Sequence, residues 1–215
     1  MITDATVTTA EQASMLLDSP EVAHHWHEPS SLPYLSVGAL ACYLHQIIAR
    51  LAQLLDEAEP ATGTVVSTGA YYGTNRLTAT ATERESGFHP MLRAMAEEMA
   101  QRGPDVIATA TAGAVTRLRA QLATVTPERL VPVPHLPGKV TSLGDYLRTR
   151  CAELLIHTDA LATSCGVTTP RIPREASEAA LGVLIPLARY AGGDLAVLRD
   201  LARMGSAPPG APRSS

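Results

Sequence analysis

A chain of 215 residues is long enough to bury one sizeable core. Its 46% apolar content comes mainly from Ala, Leu and Val, with one Phe and one Trp, which favours closely packed helices over a sheet-rich fold. The formal net charge of −4, with arginines scattered along the chain, excludes a nucleic-acid surface, and no apolar run reads as a bilayer span.

A first helix is predicted over 10–17, stopping near Ser19-Pro20, and 26–33 reads as a Pro/Ser connection. Ser36 is a natural cap for a long amphipathic helix over 37–55, whose Val37, Leu40, Leu44, Ile47, Ile48, Leu51 and Leu55 recur at three- and four-residue steps. Further helices are predicted over 65–81, carrying Tyr71 and Tyr72, over 91–101, halted by Gly103-Pro104, and over 106–122. The four prolines and the glycine of 126–139 predict an extended crossover or short hairpin. Ser142 or Thr141 then caps a helix that ends near Cys165-Gly166. Helix resumes over about 175–189 and again over 194–203. These elements make one helical domain over 1–204, and 205–215 reads as a disordered tail.

The helix after Ser142 carries the strongest chemical signal. Glu153 and His157, four residues apart, project from one helical face, and such a pair either holds a divalent metal or forms a hydrogen-bonded pair at a core edge. Desolvation should raise the carboxyl pKa, and the neighbouring carboxylate should raise that of the imidazole. Arg150, three residues before Glu153, suits pairing with it or with an anionic ligand. On the 37–55 helix, Tyr43 and His45 flank the apolar stripe on opposite sides, so one pointing inward disfavours the other. His45 is a candidate third metal ligand or a boundary histidine. His24, His25 and His27 sit in a loop that does not preorganise them, and Tyr71, Tyr72 and Tyr146 suit either core packing or a cavity wall. Cys42, Cys151 and Cys165 read as buried free thiols of a reducing compartment. With no basic-then-apolar leader at the N-terminus, the expected location is cytoplasmic.

Three segments carry a resemblance. Residues 26–45 read Trp-His-Glu-Pro-Ser-Ser-Leu-Pro-Tyr-Leu-Ser-Val-Gly-Ala-Leu-Ala-Cys-Tyr-Leu-His, 150–162 read Arg-Cys-Ala-Glu-Leu-Leu-Ile-His-Thr-Asp-Ala-Leu-Ala, and 193–203 read Gly-Asp-Leu-Ala-Val-Leu-Arg-Asp-Leu-Ala-Arg. Together they resemble the DinB-like superfamily, in the actinobacterial branch that contains the N-terminal domain of mycothiol-dependent maleylpyruvate isomerase. The resemblance implies an all-α, DinB-like four-helix bundle with a short extended crossover and an additional C-terminal helix. It also implies a divalent metal, zinc- or nickel-like, held by one histidine of the second helix and the Glu-x-x-x-His pair. Glu153 and His157 match two of these ligands, but Tyr43 stands where the histidine is expected. Three outcomes stay open: ligation by Tyr43, substitution by His45, or loss of the metal, which is the leading expectation.

The implied function is a small-molecule enzyme of the mycothiol-dependent isomerase or transferase type. Its altered or lost metal site suits repurposing for metal-free acid/base isomerisation or cyclisation in secondary metabolism. Tyr43, Glu153 and His157 are then the catalytic candidates, and Arg150 the cofactor-binding one. The alternative is a non-catalytic small-molecule-binding or stress-related protein. The expected partner is a small molecule, with no nucleic acid or membrane, and a homodimer is compatible with this reading.

Overall fold

A computed structural model describes residues 1–33, 35–67, 88–133 and 136–205. The all-α expectation holds: eight helices dominate the described residues, with three short strands beside them.

Helix α1 spans Ile2–Leu17, beginning earlier than the predicted residue 10. Its first half buries Thr3, Thr6 and Thr9, residues that read as poor helix formers in isolation. The Thr6 and Thr9 hydroxyls donate to the carbonyls of Ile2 and Ala5, at 2.8 and 2.7 Å, so both enter the core without an unpaired donor. A short α2, Pro20–His24, follows Ser19, whose hydroxyl accepts from Val22 N–H, and the sequence reading did not anticipate it.

Helix α3, Val37–Asp56, starts where expected because Ser36 Oγ accepts from Ala39 N–H at 3.0 Å. It buries Leu40, Leu44, Ile48 and Leu51 completely. By length and hydropathy α3 could cross a membrane, contrary to the expectation that no segment would qualify, but 72% of its apolar window is buried within the protein. Its role in this fold is that of a core helix.

Strand β1, Thr64–Val65, occupies the start of the segment predicted as helix over 65–81, and residues 68–81 of that prediction, with Tyr71 and Tyr72, lie outside the described residues. Helix α4 spans Phe88–Ala100, and α5 spans Pro104–Leu122. Gly103, at φ +85°, makes the break between them in a region that favours glycine. The proline-rich segment forms a hairpin of β2, Leu130–Pro132, against β3, Lys139–Ser142, and β1 adds to β3 in parallel.

Helix α6, Leu143–Ser164, begins on Ser142, whose Oγ accepts from Asp145 N–H at 3.1 Å. It buries Leu143, Leu147, Leu154 and Leu161 completely. Helix α7, Arg174–Gly192, turns at Gly193 into α8, Asp194–Gly205. The tail expected to be disordered lies, from 206, outside the described residues.

Helices α1, α5, α3 and α6 form the bundle in that cyclic order, each packed on the next. Helix α4 packs outside α3, and α7 packs across α6 and α1. Since α3 and α6 are neighbours, side chains on their facing edges meet within the bundle.

Candidate functional site

At the α3–α6 seam, the rings of Tyr43 and His157 meet edge to face, with centroids 4.9 Å apart and planes at 83°. One turn along α6 from His157, the buried Glu153 carboxylate accepts from Arg150 Nη2 at 2.8 Å. The expected Arg150–Glu153 pairing is therefore present, and Tyr43, Glu153, His157 and Arg150 belong to one cluster. The Nδ1 atom of His157 is buried and has no hydrogen-bond partner among the described residues. A buried polar atom left unpaired costs free energy and is usually matched by a ligand or an ordered water.

The electrostatics follow from burial and from Arg150. Burial raises the Glu153 carboxyl pKa, although Arg150 pulls in the opposite direction. Burial and then the Arg150 charge push His157 down to about 4. This corrects the expectation that the carboxylate would raise the imidazole: Glu153 is already compensated by a guanidinium, so desolvation wins. Burial and then Glu153 push the Tyr43 phenol up to about 12, so its hydroxyl stays protonated.

His45 does not join this cluster. Two residues on from Tyr43, it lies about 200° around the helix and faces α5, with Nδ1 3.0 Å from Thr111 Oγ1. Thr111 Oγ1 donates its own proton to the Ile107 carbonyl at 2.6 Å. His45 Nδ1 must therefore carry a proton and donate it, and burial, then Arg102, lower the pKa of this imidazole.

The donor set decides whether the implied metal fits. Among the described residues no three His, Cys, Asp or Glu side chains converge on one point. Glu153 is bridged by Arg150, Tyr43 offers a protonated phenol, and His45 faces another helix. One imidazole and one compensated carboxylate do not make a tight site for a divalent ion, so these residues do not fit it.

Elsewhere, Arg148 is exposed and pairs with Asp145 at 2.9 Å, and Tyr146 is buried. His24 and His27 are exposed, while His25 Nδ1 lies 2.8 Å from the Glu21 carbonyl. All three cysteines are free and buried, and burial raises each thiol, Cys42 to about 12. None has the environment of a reactive thiolate.

Thr149 was missed by the sequence reading. It is buried and accepts from Arg150 Nε at 3.1 Å, and the Arg150 guanidinium carbon lies 4.9 Å from the Tyr146 ring centroid. The spacing of Tyr146, Thr149, Arg150 and Glu153, which shares one helical face, was the available signal.

A family model described as mycothiol maleylpyruvate isomerase N-terminal domain matches residues 9–162. That span includes α3, α6 as far as residue 162, and every residue of the cluster. No curated protein and no solved structure matches.

Proposed function

Since the chain belongs to the mycothiol maleylpyruvate isomerase N-terminal domain family, a DinB-like family, we propose that it is a small-molecule enzyme of the thiol-dependent isomerase or transferase type, working without a metal. The observation that carries this reading is the unpaired, buried Nδ1 of His157, held against Tyr43 and beside the Arg150–Glu153 pair.

The chain's own thiols are buried and held protonated, so the nucleophile is a thiol brought in from outside, and mycothiol is the one the family name suggests. His157 is neutral at physiological pH and so is present as a base. In the tautomer that leaves Nδ1 unprotonated, it takes the thiol proton as sulfur bonds to an electrophilic carbon of the substrate. The developing imidazolium gains a negative partner in the substrate as the addition proceeds, which offsets the burial that otherwise disfavours its charge. The displaced electron pair moves onto a substrate oxygen, which accepts from the Tyr43 hydroxyl while Arg150 attracts the negative charge. Return of the proton with C–S cleavage gives an isomer and free thiol. Retention of the C–S bond gives a thiol adduct. Three free, buried cysteines suit a cytoplasmic, reducing setting, which belongs to the same proposal.

The alternative, a non-catalytic binding or stress-related protein, is favoured if the depressed imidazole stays neutral with ligand bound. Turnover of maleylpyruvate with mycothiol separates the two. His157→Ala, with folding verified by circular dichroism, should reduce turnover by about a hundredfold or more. Tyr43→Phe should cost less if its hydroxyl only positions the substrate, and comparably if it transfers the proton. A chelator should leave the wild-type rate unchanged. Full activity in His157→Ala rejects the assignment, and strong inhibition by chelator restores a metal mechanism.

A further inference from the structure

Helices α7 and α8 pack on each other about the break at Gly193, and both lie beyond the residues that the family model matches. The inner side of α7 is used by the bundle, where Val183 and Leu187 are buried. Its outer side carries Leu181 and Ile185, which are 50% and 37% exposed. Helix α8 has its amphipathic faces reversed. Ala196 and Val197 are half-buried, while Leu195, Leu198 and Leu201 are 65%, 61% and 50% exposed. A surface helix ordinarily turns its apolar stripe to the core. This one turns it to solvent.

We propose that the outer side of α7 and α8 is the interface through which two copies of this chain associate as a symmetric dimer. Area and charge both choose a second copy as the occupant. Five side chains of this size at these exposures leave on the order of 400 Å² of apolar surface bare, a size at which exposed patches are often functional. An interface of standard size buries about 800 Å² per partner, a little over half of it apolar, so the stripe supplies the apolar share of one such contact. The chain carries −4 overall, yet residues 174–205 hold four arginines and four acidic residues. Three of those arginines already pair within the segment: Arg174 with Glu178, Arg189 with Asp194, and Arg203 with Asp200. A two-fold contact sets a surface against itself, so any net charge on the rim would meet its own sign. This rim is neutral and carries no such penalty. An anionic lipid surface would instead call for an excess of basic residues. The inference stands apart from the chemistry proposed above, because Tyr43 and His157 lie on other helices.

Analytical ultracentrifugation of the 215-residue chain tests this. At about 50 µM, above the micromolar constants of the weakest standard-sized interfaces, the wild type should sediment near twice its 22.7 kDa. Leu198→Glu changes a side chain that is already exposed in the monomer, so circular dichroism should show an intact fold. It should nevertheless raise the dimer dissociation constant by roughly a hundredfold or more, since symmetry puts the new charge at the interface twice. Leu195→Glu should act alike and decides the matter if Leu198→Glu fails to fold. Met15→Glu, on α1 and 74% exposed, should leave the dimer intact. A wild type that stays monomeric overturns the proposal, and if it also co-sediments with vesicles of phosphatidylcholine and phosphatidylserine, the stripe belongs to lipid instead. A dimer that neither leucine variant disturbs, or that Met15→Glu dissociates equally, places association on another surface and overturns the proposal as well.

Discussion

At Tyr43 and His157 the chemistry turns on which charges burial permits. His157 titrates near 4 when folded against an ordinary 6.5, so the unfolded chain binds more protons between those values. Stability from the neutral imidazole is fully present above pH 6.5 and is lost as pH falls towards 4. Glu153, shifted upward, works in the opposite sense, losing its contribution as pH rises through its folded value. Denaturant unfolding at pH 7 and pH 4 should therefore show His157→Gln less acid-sensitive than the wild type by up to about 3 kcal/mol. Identical acid sensitivity would mean that the imidazole is solvated. Tyr43→His tests the other side of the seam. An imidazole there beside Glu153 and His157 supplies the missing ligand, so zinc uptake should rise from weak and substoichiometric to about one ion per chain. Stoichiometric zinc in the wild type would contradict the donor-set argument.

The helices hold this seam in register through contacts well away from it. Trp26, buried ahead of α3, donates from Nε1 to the Ala100 carbonyl at 2.9 Å and covers Gly38. A Cβ at Gly38 would meet the Trp26 ring at 2.6 Å. Gly38→Ala should therefore destabilise the protein by about 1–3 kcal/mol through overpacking, as read from the denaturation midpoint. An unchanged midpoint would show that the ring can move aside. Helices α3 and α6 were legible in the sequence because local chemistry marks them: a serine cap at each start and leucines at helical spacing. The first half of α1 was not, because three threonines hide a buried face. Nor was β1, whose Val65 pairs with the distant Val140. Non-local pairing leaves no periodic trace in its own segment.

For the molecule as a whole, the bundle order was legible only as a class, while the resemblance pointed to the two helices on which Tyr43 and His157 meet. It left the Tyr43-or-His45 question open, and the packing of α3 between α5 and α6 answers it by turning each side chain towards a different neighbour. The spacing placed Thr149 and Arg150 side by side on one helical face, but the hydrogen bond between them escaped because it depends on where the hydroxyl proton goes. Tyr146, Thr149, Arg150, Glu153 and His157 all lie on α6 within three turns, and α3 contributes Tyr43 alone. The pitch of a single helix thus acts as a ruler for most of the centre. On the function proposed above, a single codon change at Tyr43 on the opposite helix is enough to exchange one chemistry for another, while the ruler and the fold persist through the change.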